Sequence, residues 1–552
     1  MSQSDTSVDR PAILTVLNYM DASVRLLLVL LCFQLKFTRT SAQEHSKASV
    51  DDTVSGVLQD RVEHSLNVLL LTLPASGHSA SLLALGGELV RRGHNVTLIT
   101  TDRTEFHFAE MTMRQTKEAG VAYVSAGESF MNFTKLQDSK TSIWKRIPTE
   151  VVLMAQELGK ITAVFDGYLK HNPVDIVICN ELLQPIIACI NRGYQVPVIA
   201  LGTKCQYQFH TYPAWPWPGI LSGATSDDLT FIQRLRNTFE YHLGSFILKY
   251  VLRVVMGSIQ QYCPDAGLNY VSTSVGVYLP HIVQTVIGFE YPRTISPLTS
   301  YVGPILTKTP DPISNDLMSW LDKKGNKKVI YISMGSYIML SREEVVAILS
   351  AVIATQYSAV WALRTKTEDA LVGLDIDHAG QNFYHKVGTP TLCFGSHEAL
   401  YNEIPPIVIP VAGDQMADAG RVHYQNLGIH IPSRNLSEAS IADAVKSIDR
   451  GNYRASVERL KINFVAAGGV ERAAKLVEFY EAVGYNHLIP AYAKYNWSWV
   501  QYYNVDIYLI LSVALVMLTY SPLLCCRCTS KKVYTRCVCT SSQSTSSKEK
   551  TD

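Results

Sequence analysis

Near-continuous apolar runs alternate along this chain with stretches whose leucines recur at helical spacing. Asn67–Leu73, NVLLLTL, is a run of the kind that fills a parallel strand buried on both faces. A turn, PASGH, follows it, and Ser79–Arg92 then carries Leu82, Leu83, Leu85 and Leu89 on a helical period. Arg91, Arg92 and Gly93 close that helix, with basic side chains in its last turn and glycine beyond. Asn95–Thr100, NVTLIT, is the next strand and completes a βαβ unit. The same grammar recurs at Val174–Cys179 and Val196–Leu201. A second series begins near Tyr301, with strand Lys328–Ser333, helix Ser341–Ala354, strand Ser358–Leu363 and a later strand at Ile407–Pro410. Strands alternating with helices predict an α/β fold of parallel doubly wound sheets, and two series predict two Rossmann-like lobes. Ligands of open α/β sheets sit outside the carboxyl ends of the strands, so two facing lobes imply a cleft between them.

Two further apolar runs lie towards the ends of the chain. Leu26–Phe33, LLLVLLCF, preceded by Arg25, is too short to span a bilayer but suits the core of a secretory signal. Ser41 and Ala42 supply a cleavage site, and the stretch from Met20 reads as a complete signal peptide, which leaves 1–19 as an upstream extension. Ile507–Leu524 has eighteen residues without a charge, enough for a transmembrane helix. Trp497, Trp499, Tyr502 and Tyr503 precede it as an aromatic belt, and Arg527, Lys531, Lys532 and Arg536 follow it. The positive-inside rule then puts the C-terminus in the cytosol, and Pro522 is tolerated near a membrane end. Lys548 and Lys550, fifth and third from the last residue, match a dilysine signal for return to the endoplasmic reticulum.

With 552 residues the chain can bury a large core over two or three domains. Its 49 basic and 48 acidic residues leave a net charge of +1, without the basic stripe that nucleic-acid binding needs. Five of the eleven cysteines (525, 526, 528, 537 and 539) crowd the segment after the apolar run, where palmitoylation is open to them. Cys32 lies in the signal, and Cys179, Cys189, Cys205, Cys263 and Cys393 show no CxxC spacing, which argues against zinc. Asn95, Asn132, Asn435 and Asn496 begin N-x-[ST] sequons, Asn95 within a predicted strand.

Several segments resemble the animal UDP-glucuronosyltransferases and their glycosyltransferase relatives. They are Ser76–Thr100 (SGHSASLLALGGELVRRGHNVTLIT), Asp227–Asn237 (DDLTFIQRLRN) and Phe289–Pro304 (FEYPRTISPLTSYVGP). Tyr331–Ser336 (YISMGS), Glu398–Gln415 (EALYNEIPPIVIPVAGDQ) and Trp499–Ile507 (WVQYYNVDI) extend the similarity over roughly 62–552, in matching order and spacing. The resemblance implies a GT-B-type fold, with an acceptor-binding lobe at 62–300 and a UDP-sugar-binding lobe at 301–485. A return segment at 486–506, one transmembrane helix at 507–524 and a cytosolic tail at 525–552 complete it. It also implies a UDP-sugar as co-substrate rather than a bound cofactor, a small lipophilic acceptor, and homo- or hetero-oligomers with related transferases.

The resemblance carries site residues position by position. His78 stands where the family has its catalytic base, and imidazole titrates in the right range to take an acceptor proton. The family pairs that histidine with an aspartate, and Asn180 holds the matching position here. Asparagine accepts a hydrogen bond from the ring but cannot offset the charge that forms; the corresponding change in a serine-protease triad costs about 10⁴ in rate. Glu181 is the alternative partner if the chain has left the strand there, and points the other way if the strand continues. Gly335 and Ser336 follow a strand and precede a helix, so their amides suit a diphosphate. Glu398 matches the ribose-binding glutamate, and Asp414 and Gln415 match the pair that holds the transferred sugar. The family's phosphate-binding histidine-glycine-glycine is replaced by Pro390-Thr391-Leu392 and its asparagine by Phe394, and its uracil-stacking motif is not recognisable between Arg364 and Glu398.

Two functions are compatible with this pattern. One is an active, inverting transferase with an acceptor pocket walled by Tyr207–Ile220, YQFHTYPAWPWPGI. The other is a non-catalytic relative that binds or oligomerises with active transferases, for which the altered 365–397 segment speaks. The two apolar end segments predict a mature protein that begins near residue 43 and crosses the membrane once. Protease applied to intact microsomes is expected to remove only the C-terminal tail; digestion of the large domain under those conditions refutes this topology.

Overall fold

The computed structural model describes the backbone of residues 64–74, 76–102, 108–130, 143–183, 186–187, 190, 194, 196–202, 230–259, 279–292, 295–307, 313–325, 328–334, 340–363, 383–387, 396–410, 415–490 and 498–520. The chain divides into two compact units, one of residues 57–490 and one of residues 1–56 and 491–552.

The larger unit opens with β1 (Asn67–Leu71), α1 (Ser76–Arg91), β2 (Asn95–Asp102), α2 (Phe108–Ala119) and β3 (Ala122–Glu128). It continues with α3 (Ile143–His171), β4 (Ile176–Asn180), β5 (Val198–Gly202), α4 (Phe231–Ile259), β6 (His281–Val283) and β7 (Thr299–Tyr301). These strands form one seven-stranded sheet in the order β3-β2-β1-β4-β5-β6-β7, every pair parallel. The apolar run of β1 serves both faces. Val68 and Leu70 join Leu82, Leu85 and Leu89 of α1 in one core, while Leu69 and Leu71 join Leu158, Ile161 and Phe165 of α3 in the other. Each such side chain contributes roughly 1.5–3 kcal/mol on burial.

The second series comprises α5 (Asn315–Lys324), β8 (Val329–Ser333), α6 (Arg342–Thr355), β9 (Ser358–Leu363), β10 (Phe383–Val387) and α7 (Ser396–Tyr401). After it come β11 (Ile407–Val408), α8 (Gln415–Tyr424), β12 (Ile429–His430), α9 (Glu438–Arg450), α10 (Arg454–Ala466) and α11 (Gly469–Val483). Strands β10-β9-β8 pair in parallel, as do β11 and β12. The helix expected at Ser341–Ala354 begins one residue later because Ser341 is its cap. The Ser341 hydroxyl accepts from the Glu344 amide, and the Glu344 carboxylate accepts from the Ser341 amide at 2.7 Å. Such a cap contributes about 1 kcal/mol.

Two contacts cross between the series. The connection from β6 to β7 inserts Val286 and Phe289 into the core of α7, α8 and α10, beside Leu400, Val422, Leu460 and Phe464. In return, α11 leaves the second series and packs on the first sheet. Val470, Ala473, Ala474, Val477 and Tyr480 lie in the core of β1 and α1. Arg92 and His94 reach Glu478 at 3.1 and 3.2 Å. By sequence this helix falls inside the 301–485 lobe; by packing it belongs to the first.

The smaller unit contains α12 (Trp499–Tyr502) and a helical stretch at 505–520 whose apolar side chains, Ile507, Leu509, Leu511, Leu515 and Met517 among them, are exposed. The span expected at Ile507–Leu524 runs past 520 and beyond the described residues. Among the described residues no helix is long and apolar enough to cross a membrane.

Gly303 sits where α10 returns to β7, with φ at +77°, and a Cβ there would stand 2.7 Å from the Phe464 carbonyl oxygen. Gly303→Ala is therefore expected to lower stability by roughly 1–3 kcal/mol in denaturant unfolding; an unchanged midpoint contradicts this packing.

Candidate active site

In a parallel sheet all strands end at one edge, and Asn180, Glu181 and the helical turn that carries His78 lie at that edge of the first sheet. Leu71, the last residue of β1, lies level with Cys179 of β4, and Asn180 is the next residue, level with Leu201 of β5. Helix α1 begins at Ser76, so His78 belongs to its first turn rather than to the turn expected before Ser79. The expectation failed because Ser76 and Ser79 are both residues that can mark a helix start, and the helix takes the earlier position, nearer β1. The His78 side chain lies outside the description. Its backbone stands at the positive end of α1, where unsatisfied amides disfavour a cation.

Asn180 is buried at 2% exposure. The strand stops there, and Glu181 opens a short 3₁₀ turn, Glu181–Leu183. The chain has thus left the strand at Glu181, as one of the two alternatives required. Its carboxylate lies over β5 and β6, with Oε2 3.5 Å from His281 Nε2. The strand leading to His78 is β1, on the opposite side of β4. Any side chain at Gly202 would occupy the space of the Glu181 carboxylate and stand 2.6 Å from His281 Nε2. Cys179, next to Asn180, is a buried free thiol whose pKa burial pushes up, which makes it inert.

Another buried carboxylate holds the neighbouring corner. Glu157 of α3 accepts from the Ser129 hydroxyl and the Phe130 amide, both at 2.8 Å, and from the Thr101 hydroxyl. Its oxygens satisfy the polar groups where β2 and β3 run out. Neither Glu157 nor His281 belongs to a motif. Glu181 and His281 are a hundred residues apart, and only strand order joins them.

On the other side, Glu398 is half-buried in α7, and Gln415 is the half-buried first residue of α8. Gly335, Ser336, Asp414 and the Pro390–Phe394 segment lie outside the described residues. The 335–339 stretch joins the carboxyl end of β8 to the start of α6. Among the described residues no cluster of His, Cys, Asp or Glu could hold a metal ion.

A family model described as "UDP-glucoronosyl and UDP-glucosyl transferase" matches residues 67–541. The chain belongs to this family. Similar glycosyltransferases include UDP-glucuronosyltransferase 2A2 of Homo sapiens, 22% identical over 83% of this chain and 91% of its own length. UDP-glucuronosyltransferase 2C1 of Oryctolagus cuniculus is 25% identical over 81% of this chain and 95% of its own length. Among solved structures, the calicheamicin glycosyltransferase CalG4 matches with a TM-score of 0.53 at 20% identity, covering 76% of this chain and 98% of that one. The glycotransferase of kitacinnamycin matches with the same TM-score at 16% identity, covering 77% and 100%. The likeness to both is one of fold, the α/β GT-B arrangement of glycosyltransferases.

Within this UDP-glycosyltransferase family member, the Glu181–His281 contact depends on the absence of a side chain at residue 202. Gly202→Ala is expected to cost about 1–3 kcal/mol by overpacking. Glu181→Asp added to it should recover part of that loss, because the shorter side chain withdraws the carboxylate. Strictly additive effects of the two substitutions would refute the contact.

Proposed function

We propose that the protein transfers a hexosyl or glucuronosyl group from a UDP-sugar to a small lipophilic hydroxylated acceptor, with inversion. In this reading the acceptor lies against the first sheet and the UDP-sugar against the second, across a cleft. His78 takes the acceptor hydroxyl's proton, the acceptor oxygen bonds to the anomeric carbon from the face opposite UDP, and the C–O bond to UDP breaks. Asn180 accepts a hydrogen bond from the imidazole and orients it. Glu398 holds the ribose, Asp414 and Gln415 hold the sugar, and the amides of Gly335 and Ser336 face the diphosphate. The observation that carries this reading is the meeting of the first turn of α1 and the buried Asn180 at the adjoining carboxyl ends of β1 and β4, in a member of this family. The exposed apolar side chains of 505–520 support a membrane anchor there; its single pass, a lumenal body and the endoplasmic reticulum rest on the basic residues at 527–536 and the Lys548 and Lys550 pair.

One observation favours the second reading, a non-catalytic binding or oligomerisation partner of active transferases. Asn180 is neutral and buried, and the Glu181 carboxylate lies over β5 and β6 rather than over β1. An imidazolium at the positive end of α1 would therefore gain little compensation. A loss of about 10⁴ in rate corresponds to about 5.5 kcal/mol, which positioning of the reactants can in part offset.

Three variants separate the readings. With UDP bound by the wild type, His78→Ala is expected to abolish turnover and leave UDP affinity nearly unchanged. Asn180→Asp is expected to raise turnover at least about tenfold, with acceptor affinity unaltered, because the imidazolium charge develops only as the proton moves. Severe damage from Glu181→Gln with no gain from Asn180→Asp would instead assign the partner role to Glu181. Absence of UDP binding by the wild type would establish the non-catalytic reading.

A further inference from the structure

The connection between β6 and β7 belongs to the first sheet by sequence and by its strands, yet its middle is buried in the second lobe. Phe289 and Glu290 are 0% and 1% exposed. Two helices close on this short stretch, and they are the helices that carry Glu398 and Gln415.

Helix α8 makes three kinds of contact with it. The Arg421 guanidinium, 1% exposed, lies 2.9 Å from Glu290 Oε2 and 3.1 Å from Asp418 Oδ1 on its own helix. The same guanidinium stands 6.0 Å from the Phe289 ring centroid and 5.6 Å from that of Tyr291. Tyr424 packs edge-on against Tyr291, and Gln425 Nε2, just past the helix, donates to the Phe289 carbonyl at 2.9 Å. Helix α7 grips the same residue from another side. His397 packs edge-on against Phe289 with centroids 4.7 Å apart, and its Nε2 stands 3.4 Å from the Thr285 hydroxyl. Glu398 is the next residue along.

A buried ion pair is a poor source of net stability, because desolvating both charges consumes most of the attraction. Its geometry, however, is demanding: a guanidinium fork meets a carboxylate in few orientations. Arg421 lies six residues, under two helical turns, from Gln415 on one rigid helix. Fixing the guanidinium therefore fixes the helix axis and with it the position of Gln415.

We propose that Glu290 and Arg421, with His397 stacked on Phe289, are positioning residues for donor binding: one loop of the acceptor lobe sets α7 and α8 in register, so that Glu398 and Gln415 converge on one UDP-sugar. This rests on the reading of Glu398 and Gln415 as donor-binding residues given above. Glu290→Gln is the selective probe, since it keeps size and leaves the Arg421–Asp418 pair within α8 intact.

The test measures UDP binding by titration calorimetry on the full chain in detergent, well below each variant's unfolding midpoint. Glu290→Gln is expected to weaken UDP by about tenfold, within the usual range for coupled sites. Arg421→Lys, which keeps the charge but not the fork, is expected to do the same. Ile161→Val, a remote core truncation in α3, supplies the control: it lowers the midpoint and leaves UDP affinity unchanged. If Glu398→Ala and Gln415→Ala weaken UDP while Glu290→Gln and Arg421→Lys do not, the positioning role is refuted and the donor site stands. If Ile161→Val weakens UDP as much as Glu290→Gln at an equal loss of midpoint, the effect is general destabilisation and the proposal is overturned. If Glu398→Ala and Gln415→Ala leave UDP affinity untouched, the donor-site reading fails and the inference falls with it.

Discussion

Strands β1 and β4 present apolar side chains on both faces, and a parallel sheet of that kind is stable only between two layers of helix. Helix α3 covers one face. The other needs more than α1, and α11 supplies the rest from residues 469–483, almost four hundred positions downstream of β1. The chain must therefore cross to the second series and come back. Gly303 and Gly469 allow that return, with φ at +77° and +52°, and the Gly469 amide donates to the Val302 carbonyl at 2.6 Å. The two series are consequently joined twice, once by the β6–β7 connection and once by the entry into α11.

The same parallel topology gathers the polar chemistry. Because every strand of the first sheet ends at one edge, Asn180, Glu181, Glu157 and the first turn of α1 come to neighbouring places although their positions are scattered. Buried polar atoms have to be matched locally. Glu157 is matched by Thr101, Ser129 and Phe130, and Glu181 stands against His281 above a glycine. This edge is thus internally organised before any ligand is considered, and the electrostatics around Asn180 follow from which neighbour each carboxylate has taken. If His78 is the base, as proposed, a helix N-terminus and a neutral Asn180 leave its proton transfer dependent on geometry more than on charge.

The second series does not position its own helices unaided. Helices α7 and α8 share a core with Val286 and Phe289, which come from the other series. A six-residue helix such as α7 has little intrinsic stability, and its orientation is set by what it packs on. Contacts across the β6–β7 connection therefore bear on the placement of α7 and α8 as directly as contacts within the second sheet.

Local chemistry was legible in the chain. Continuous apolar runs marked β1, β4, β5, β8 and β9 to within about two residues, because burial on both faces leaves no polar position to blur the pattern. The start of α6 was placed to within one residue, and the order of motifs led to the glycosyltransferase family. The start of α1 was not legible, since Ser76 and Ser79 are both good cap residues and leave the first turn ambiguous, and His78 lies in the helix rather than in a turn. What only the tertiary structure decided are the pairings between distant positions. Helix α11 covers the first sheet, Glu181 stands by His281, and Arg421 meets Glu290. A pattern of apolar and polar residues shows that a helix has a face to bury or that a charge needs a partner. Strand order and the path of the returning chain determine which face and which partner, and those are properties of the whole fold.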